Sequence, residues 1–103
     1  MFARLTRVVI RGAPVSAERV EAARGLMKSV SRMAGHRGAI WLLDPETGAG
    51  TSIDFYEERQ DLGNTSQGDL RDELLGLMDA DLIGIEEYEV AALDRVFGQP
   101  TPP

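Results

Sequence analysis

Two short stretches of this chain, Val8 to Ile10 and Ala39 to Leu43, are apolar on successive positions rather than on alternate ones, which restricts how the segments that hold them can fold. Residues 3–11 (Ala-Arg-Leu-Thr-Arg-Val-Val-Ile-Arg) are rich in β-branched side chains and stop at Gly12-Ala13-Pro14, the pattern of a strand. Residues 38–43 (Gly-Ala-Ile-Trp-Leu-Leu) are also of strand length. Successive strand residues point to opposite faces of a sheet. Val8 and Ile10 therefore oppose Val9, and Ile40 and Leu42 oppose Trp41 and Leu43. A sheet with one face in water alternates more cleanly than this, so both faces call for cover. A chain of 103 residues has material for one domain and one core.

The segments between them complete a simple order. Ser16 reads as a helix N-cap, its hydroxyl taking an orphan backbone N–H, with Val15 and Val20 at the positions of a hydrophobic staple. Val20, Ala23, Met27, Val30 and Ala34 follow the three-four spacing of one helical face, and Gly35 is a natural stop. Asp44-Pro45-Glu46-Thr47-Gly48 supplies a tight connection. Thr51-Ser52-Ile53-Asp54-Phe55-Tyr56 alternates apolar and polar, as a half-buried strand does, and forms a hairpin with residues 38–43. Residues 57–68 are polar, with Gly63, Asn64 and Gly68, and read as a turn or a frayed helix start. From about Gln67 to Ala80, Leu70, Leu74, Leu77 and Met78 line a second helix, with Ser66 and Asp69 resembling a capping pair. Residues 83–91 form the last strand, weakened by Gly84 and three glutamates. The tail 97–103 ends Pro-Thr-Pro-Pro, cannot continue a ladder, and is expected to be disordered.

Strand-helix-strand-strand-helix-strand is the ferredoxin-like split βαβ order. Right-handed crossovers then place both helices on one face of a four-stranded antiparallel sheet. One α+β domain over residues 1–96 results, with its second sheet face left for another partner. A second copy of the chain is the economical one.

Bulk composition removes several function classes. The 43% hydrophobic and 27% charged residues are those of a globular chain. Net charge is −6, from 11 basic and 17 acidic residues, and the arginines are scattered, so no basic stripe invites nucleic acid. There is no cysteine, hence no disulfide or thiolate metal site, which fits a cytoplasmic protein. Arginines interrupt the N-terminus where a signal peptide is apolar, and no apolar run nears the ~20 residues of a membrane helix.

The hairpin from Gly35-His36-Arg37-Gly38 through Asp44-Pro45-Glu46-Thr47-Gly48, the strand end Asp54-Phe55-Tyr56-Glu57-Glu58 and the closing Glu86-Glu87-Tyr88-Glu89-Val90 together resemble the dimeric α/β-barrel superfamily. Within it, the chain is similar to the antibiotic biosynthesis monooxygenase-like domains, over about residues 3–95. The resemblance implies a homodimer whose sheets form a barrel with helices outside, and a pocket in each subunit between sheet and helices. Some members of that family are cofactor-free oxygenases acting on phenolic polyketide intermediates, and others degrade haem. The family often ends its third strand with Trp followed by Glu-Ser, where this chain has Tyr56, Glu57 and Glu58. The oxygenases use an Asn near that strand, and positions 51–56 contain none. Haem degraders need an Asn on the first strand and a His on the second helix. Residues 3–11 hold no Asn and residues 66–80 no His, which counts against haem.

Five residues stand out as candidates. Tyr56 can donate a hydrogen bond to a substrate enolate or phenolate, or be a strand-end tyrosine with its hydroxyl in water. His36, the single histidine, suits a general base near neutrality, although its place between Gly35 and Arg37 favours a solvent-exposed turn. Trp41 offers a stacking surface for a flat ligand, or packs in core or interface. Arg7 sits in an apolar strand, to bind an anion or to pair with a last-strand carboxylate such as Glu87. Tyr88 divides between interface and pocket. Asp79/Asp81 and Glu86/Glu87/Glu89 read as solvated charge, lacking the spaced oxygens of a calcium loop, and no cofactor fingerprint occurs. Two readings stay open. One is a cofactor-free oxygenase whose apolar pocket holds an acidic aromatic while its carbanion meets oxygen. The other is a non-catalytic dimer that binds a small molecule or serves a stress or regulatory role.

Overall fold

In a computed structural model, residues 1–30, 34–62 and 65–94 are described. Strand β1 (Phe2–Ile10) leads to helix α1 (Ala17–Val30), then β2 (His36–Leu43), β3 (Ala49–Tyr56), a single helical turn α2 (Arg59–Leu62), helix α3 (Thr65–Met78) and β4 (Ala80–Glu89). The sheet order is β2-β3-β1-β4 with every neighbouring pair antiparallel, which is the ferredoxin-like arrangement that the segment order predicts. The expected disorder of residues 97–103 lies outside the described residues. No helix among them is long and apolar enough to cross a membrane.

Local chemistry explains the elements. Ser16 caps α1 as its sequence suggests, accepting from the Arg19 N–H at 3.2 Å. Val15 before it is buried, as is Ala23 one turn beyond Val20. Met27, Val30 and Leu70 lie outside the described side chains. Within the polar segment, Asp61 Oδ2 accepts from the Glu58 N–H at 3.0 Å and α2 buries Leu62. Ser66 is the second residue of α3, and its side chain lies outside the described ones. On that helix Leu77 is 63% exposed, a correction to the expected stripe. At about 100° per residue, Leu74, Leu75 and Met78 flank Arg71, so the inward stripe centres on Arg71 and leaves Leu77 at its margin. Strand β4 starts at Ala80, three residues earlier than expected, and Ile83 forms a bulge opposite the Arg7/Val8 junction.

The two sheet faces divide sharply. Thr6, Val8 and Ile10 of β1, with Asp54 and Tyr56 of β3, are buried beneath the helices. The opposite face carries Leu5, Val9, Ile40, Leu42, Ile53 and Phe55, with Leu42 53% and the bulged Ile83 62% exposed. A groove of about 490 Å³ runs over that face past Arg7, Val9, Leu42, Thr51 and Ile83.

The tightest turn joins β2 to β3. Gly48 has φ +81°, and its carbonyl accepts from the Ile10 N–H at 2.8 Å. A Cβ there would stand 2.2 Å from the Ile10 carbonyl oxygen, which is rigid backbone. Left-handed strain and overlap act together. Gly48→Ala is therefore expected to cost at least about 2 kcal/mol and to lower Tm by about 10 °C or more, measured by thermal unfolding.

Candidate functional site

Strand β3 is where the site begins. Its alternation is real, but the helix-covered side receives Ser52, Asp54 and Tyr56, while Ile53 and Phe55 face outward. The β1 register sets this: Phe2 pairs with Tyr56, Arg4 with Asp54 and Thr6 with Ser52, so the polar residues of both strands share one face. On β2 the bulge at Arg37 brings His36 opposite Tyr56 on that same face.

The result is a buried polar cluster. His36 Nε2 lies 3.0 Å from Asp54 Oδ1, and Ser52 Oγ donates to Asp54 Oδ2 at 2.7 Å. A carboxylate accepts, so Nε2 is the donor of this pair. The His36 side chain is only 2% exposed, which overturns the expectation of a solvent-exposed turn residue. The bulge, by shifting the register one residue before Gly38, turns the ring inward. His36 also meets the Tyr56 ring edge-on, 5.4 Å between centroids at 87°.

Tyr56 is 2% exposed, so its hydroxyl is not the wetted strand end of the simpler reading. Burial, reinforced by the Asp54 charge, pushes its phenol up to about 12, with the Arg4 and Arg71 guanidinium groups opposing in part. The phenol is thus a neutral donor across the physiological range. Arg4 lies over the ring, 5.9 Å from its centroid. It also reaches the Leu62 carbonyl and holds Glu87 Oε2 at 2.7 Å. Arg71 has a buried Nε with no hydrogen-bond partner among the described residues.

The other candidates separate. Trp41 shares the helix side with the cluster, paired opposite Ser52 and partly exposed. Arg7 and Tyr88 lie on the open face. Arg7 Nε donates to Glu86 Oε1 at 2.8 Å and Tyr88 Oη to Glu86 Oε2 at 2.5 Å, bonds that hold the Glu86 carboxyl below its usual range. Glu86 is therefore the partner of Arg7, not Glu87. Glu87 is on the other face and belongs to Arg4. Asp79 and Asp81 clamp Arg11 in exposed ion pairs. Among the described residues, no three His, Asp or Glu side chains converge as a metal site.

Sequence reasoning missed Arg4, Asp54, Ser52 and Arg71. One signal was present: Ser52, Asp54 and Tyr56 recur at spacing two, so their side chains share a face, and only the choice of face was open. Beside the cluster, at the end of the sheet below α2, a cleft of about 310 Å³ is bounded by Phe2, Arg4, Arg59, Leu62 and the β4 end including Tyr88.

No protein-family model matches the sequence, and no curated protein resembles it closely enough in sequence to register. Solved structures do share its fold. A candidate antibiotic biosynthesis monooxygenase from Deinococcus radiodurans superposes with TM-score 0.61 at 16% identity, covering 95% of this chain and all of that one. A second structure described as an antibiotic biosynthesis monooxygenase gives 0.58 at 11% identity, covering 89% and 100%. SnoaB, a cofactor-independent oxygenase from Streptomyces nogalater, gives 0.59 at 14% identity, covering 89% and 94%. The chain has the ferredoxin-like fold of the antibiotic biosynthesis monooxygenase-like proteins.

Proposed function

We propose that this protein is a homodimeric, cofactor-independent oxygenase acting on a small acidic aromatic, with His36 as the base and Tyr56 as the hydrogen-bond donor. The observation that carries the reading is the buried His36–Asp54–Ser52 chain beside a neutral Tyr56. The structural neighbour SnoaB is a cofactor-independent oxygenase, and the proposal takes its reaction class from there. Asp54 orients the ring and steadies the imidazolium that forms when Nδ1 takes a proton. Tyr56 donates to the enolate oxygen of the ionised substrate.

The chemistry closes on dioxygen alone. His36 removes a proton from an activated CH2 flanked by aromatic rings, and the carbanion passes an electron to dioxygen. The two radicals then couple in a C–O bond. The peroxide takes a proton, and loss of the second C–H proton breaks the O–O bond, leaving a ketone and water. One feature favours the second reading, a non-catalytic binding dimer: both His36 and Tyr56 are closed off from solvent. Dimerisation is supported by the apolar open face, where Leu42 and Ile83 are exposed beside Leu5, Val9, Ile40, Ile53 and Phe55. A cysteine-free chain needs no oxidising compartment, and we assign it to the cytoplasm.

Aerobic incubation with anthrone-like phenols should consume one dioxygen per ketone formed. His36→Ala should lower kcat at least a hundredfold, and Tyr56→Phe by about tenfold. Uptake that both variants leave unchanged removes the proposed site, and no uptake by wild type across the panel leaves the binding dimer. Tyr56 also sets an alkaline limit. Its folded value of about 12 exceeds the ordinary 10, so the native state holds the proton more tightly. This stability is complete below pH 10, falls as pH rises toward 12, and amounts to about 2–3 kcal/mol. Denaturant titrations from pH 9 to 12 should show the loss in wild type and a shallower one in Tyr56→Phe. On the open face, Leu42→Asp should convert a species of twice the chain mass into one of single mass in light scattering. A wild type that already runs at single mass refutes the dimer.

A further inference from the structure

The buried cluster and the cleft below α2 share one residue, Arg4, which stands over the Tyr56 ring on one side and lines the cleft on the other. We propose that this cleft binds a flat aromatic anion whose acidic group replaces Glu87 on Arg4, with Arg59 as a second cation. The inference rests on the proposed acidic aromatic as the ligand class, and because the cleft is lined by neither His36 nor Tyr56 it names a docking place beside that pair.

Arg4 and Glu87 are unequal partners. The Arg4 side chain is 11% exposed and the Glu87 side chain 44%. The arginine is fixed, held by the Leu62 carbonyl as well, whereas the glutamate reaches in from an edge strand and can swing back to water. A half-exposed carboxylate on a largely buried guanidinium is a counter-ion that a ligand carboxylate or phenolate can displace without stranding a buried charge. The geometry suits the exchange, since Nε and Nη2 both donate to the single oxygen Glu87 Oε2, at 2.9 and 2.7 Å, a place that one ligand oxygen can take.

The rest of the cleft fits an aromatic ring. Phe2 and Leu62 supply an apolar wall. Arg59 lies over Phe2 at 4.9 Å and forms no ion pair among the described residues. A flat ligand entering against Phe2 meets the Arg59 guanidinium at its edge. About 310 Å³ is enough for two fused rings with one acidic substituent. Glu89 at the rim disfavours a ligand with a second anionic group on that side.

The test uses two probes, 1-hydroxy-2-naphthoate and uncharged 1-naphthol, titrated into the full chain by calorimetry and by amide NMR. Arg4 is left unaltered, because it also holds α2. Glu87→Gln removes the competing counter-ion and should tighten hydroxynaphthoate binding about fivefold, the opposite of what loss of a merely structural ion pair would do. Arg59→Gln should weaken it about tenfold. Naphthol affinity should move less than twofold in either variant, and the shifted amides should include Phe2, Arg59 and Glu89. Equal hydroxynaphthoate affinity in all three proteins overturns the inference. So does weaker binding in Glu87→Gln, shifts away from α2, or no binding at millimolar probe. Neither probe need turn over, so the cleft is tested apart from the oxygenase: these changes without oxygen uptake keep the cleft and remove the reaction. Oxygen uptake insensitive to both substitutions removes the cleft.

Discussion

The pairing of β1 with β3 decides what kind of interior this molecule has. Phe2 opposite Tyr56, Arg4 opposite Asp54 and Thr6 opposite Ser52 put five polar-bearing side chains under the helices, and send Leu5, Ile53 and Phe55 outward. A slip of one residue would exchange the two sets and produce an ordinary apolar core. The register holds because the polar set satisfies itself. Asp54 takes both a His36 contact and the Ser52 hydroxyl, and Arg4 takes Glu87 and the Leu62 carbonyl. A buried carboxylate without such partners costs several kcal/mol. The partners come from three strands and α2, so the cluster is formed only when the whole sheet is.

How much of this could be read beforehand follows from the same register. The α1 cap at Ser16 and the turn at Gly48 depend on neighbours in sequence, and the chain spells them out. The strand order also followed, because a split βαβ pattern has few ways to close. The orientation of β3 did not. Thr51 to Tyr56 alternates equally well either way round, and apolar-inward is the ordinary preference. Only the polar character of the facing residues Arg4 and Thr6, and the turn of His36 across the β2 bulge, make the other choice favourable. A bulge leaves little sequence trace beyond a glycine, here Gly38, so the burial of the single histidine was hidden. Arg71 was hidden for a related reason: an arginine amid leucines reads as a helix's wet side, yet here it occupies the inward stripe.

The electrostatics of the cluster favour one protonation pattern. Tyr56 between a carboxylate and an arginine is pushed up by burial and Asp54, with only partial relief from Arg4 and Arg71. The neutral phenol meets the His36 imidazole edge-on, and that ring keeps its contact with Asp54. The Tyr56 phenol therefore keeps its proton, a state set by its surroundings.

An interior of this kind has a consequence for the outer face. The buried apolar side chains among the described residues are few and small, chiefly Val8, Ile10, Val15, Ala23 and Leu62. Polar groups occupy sheet positions that would otherwise contribute burial of about 1.5–3 kcal/mol each. Apolar residues displaced by the register, Leu5, Ile40, Ile53 and Phe55, have gone to the open face, where they contribute only if something covers them. The polar cluster and the apolar outer face are thus two sides of one choice. In the proposed dimer, association returns the hydrophobic burial that the site gave up, so the stability of the site and the strength of the interface should rise and fall together.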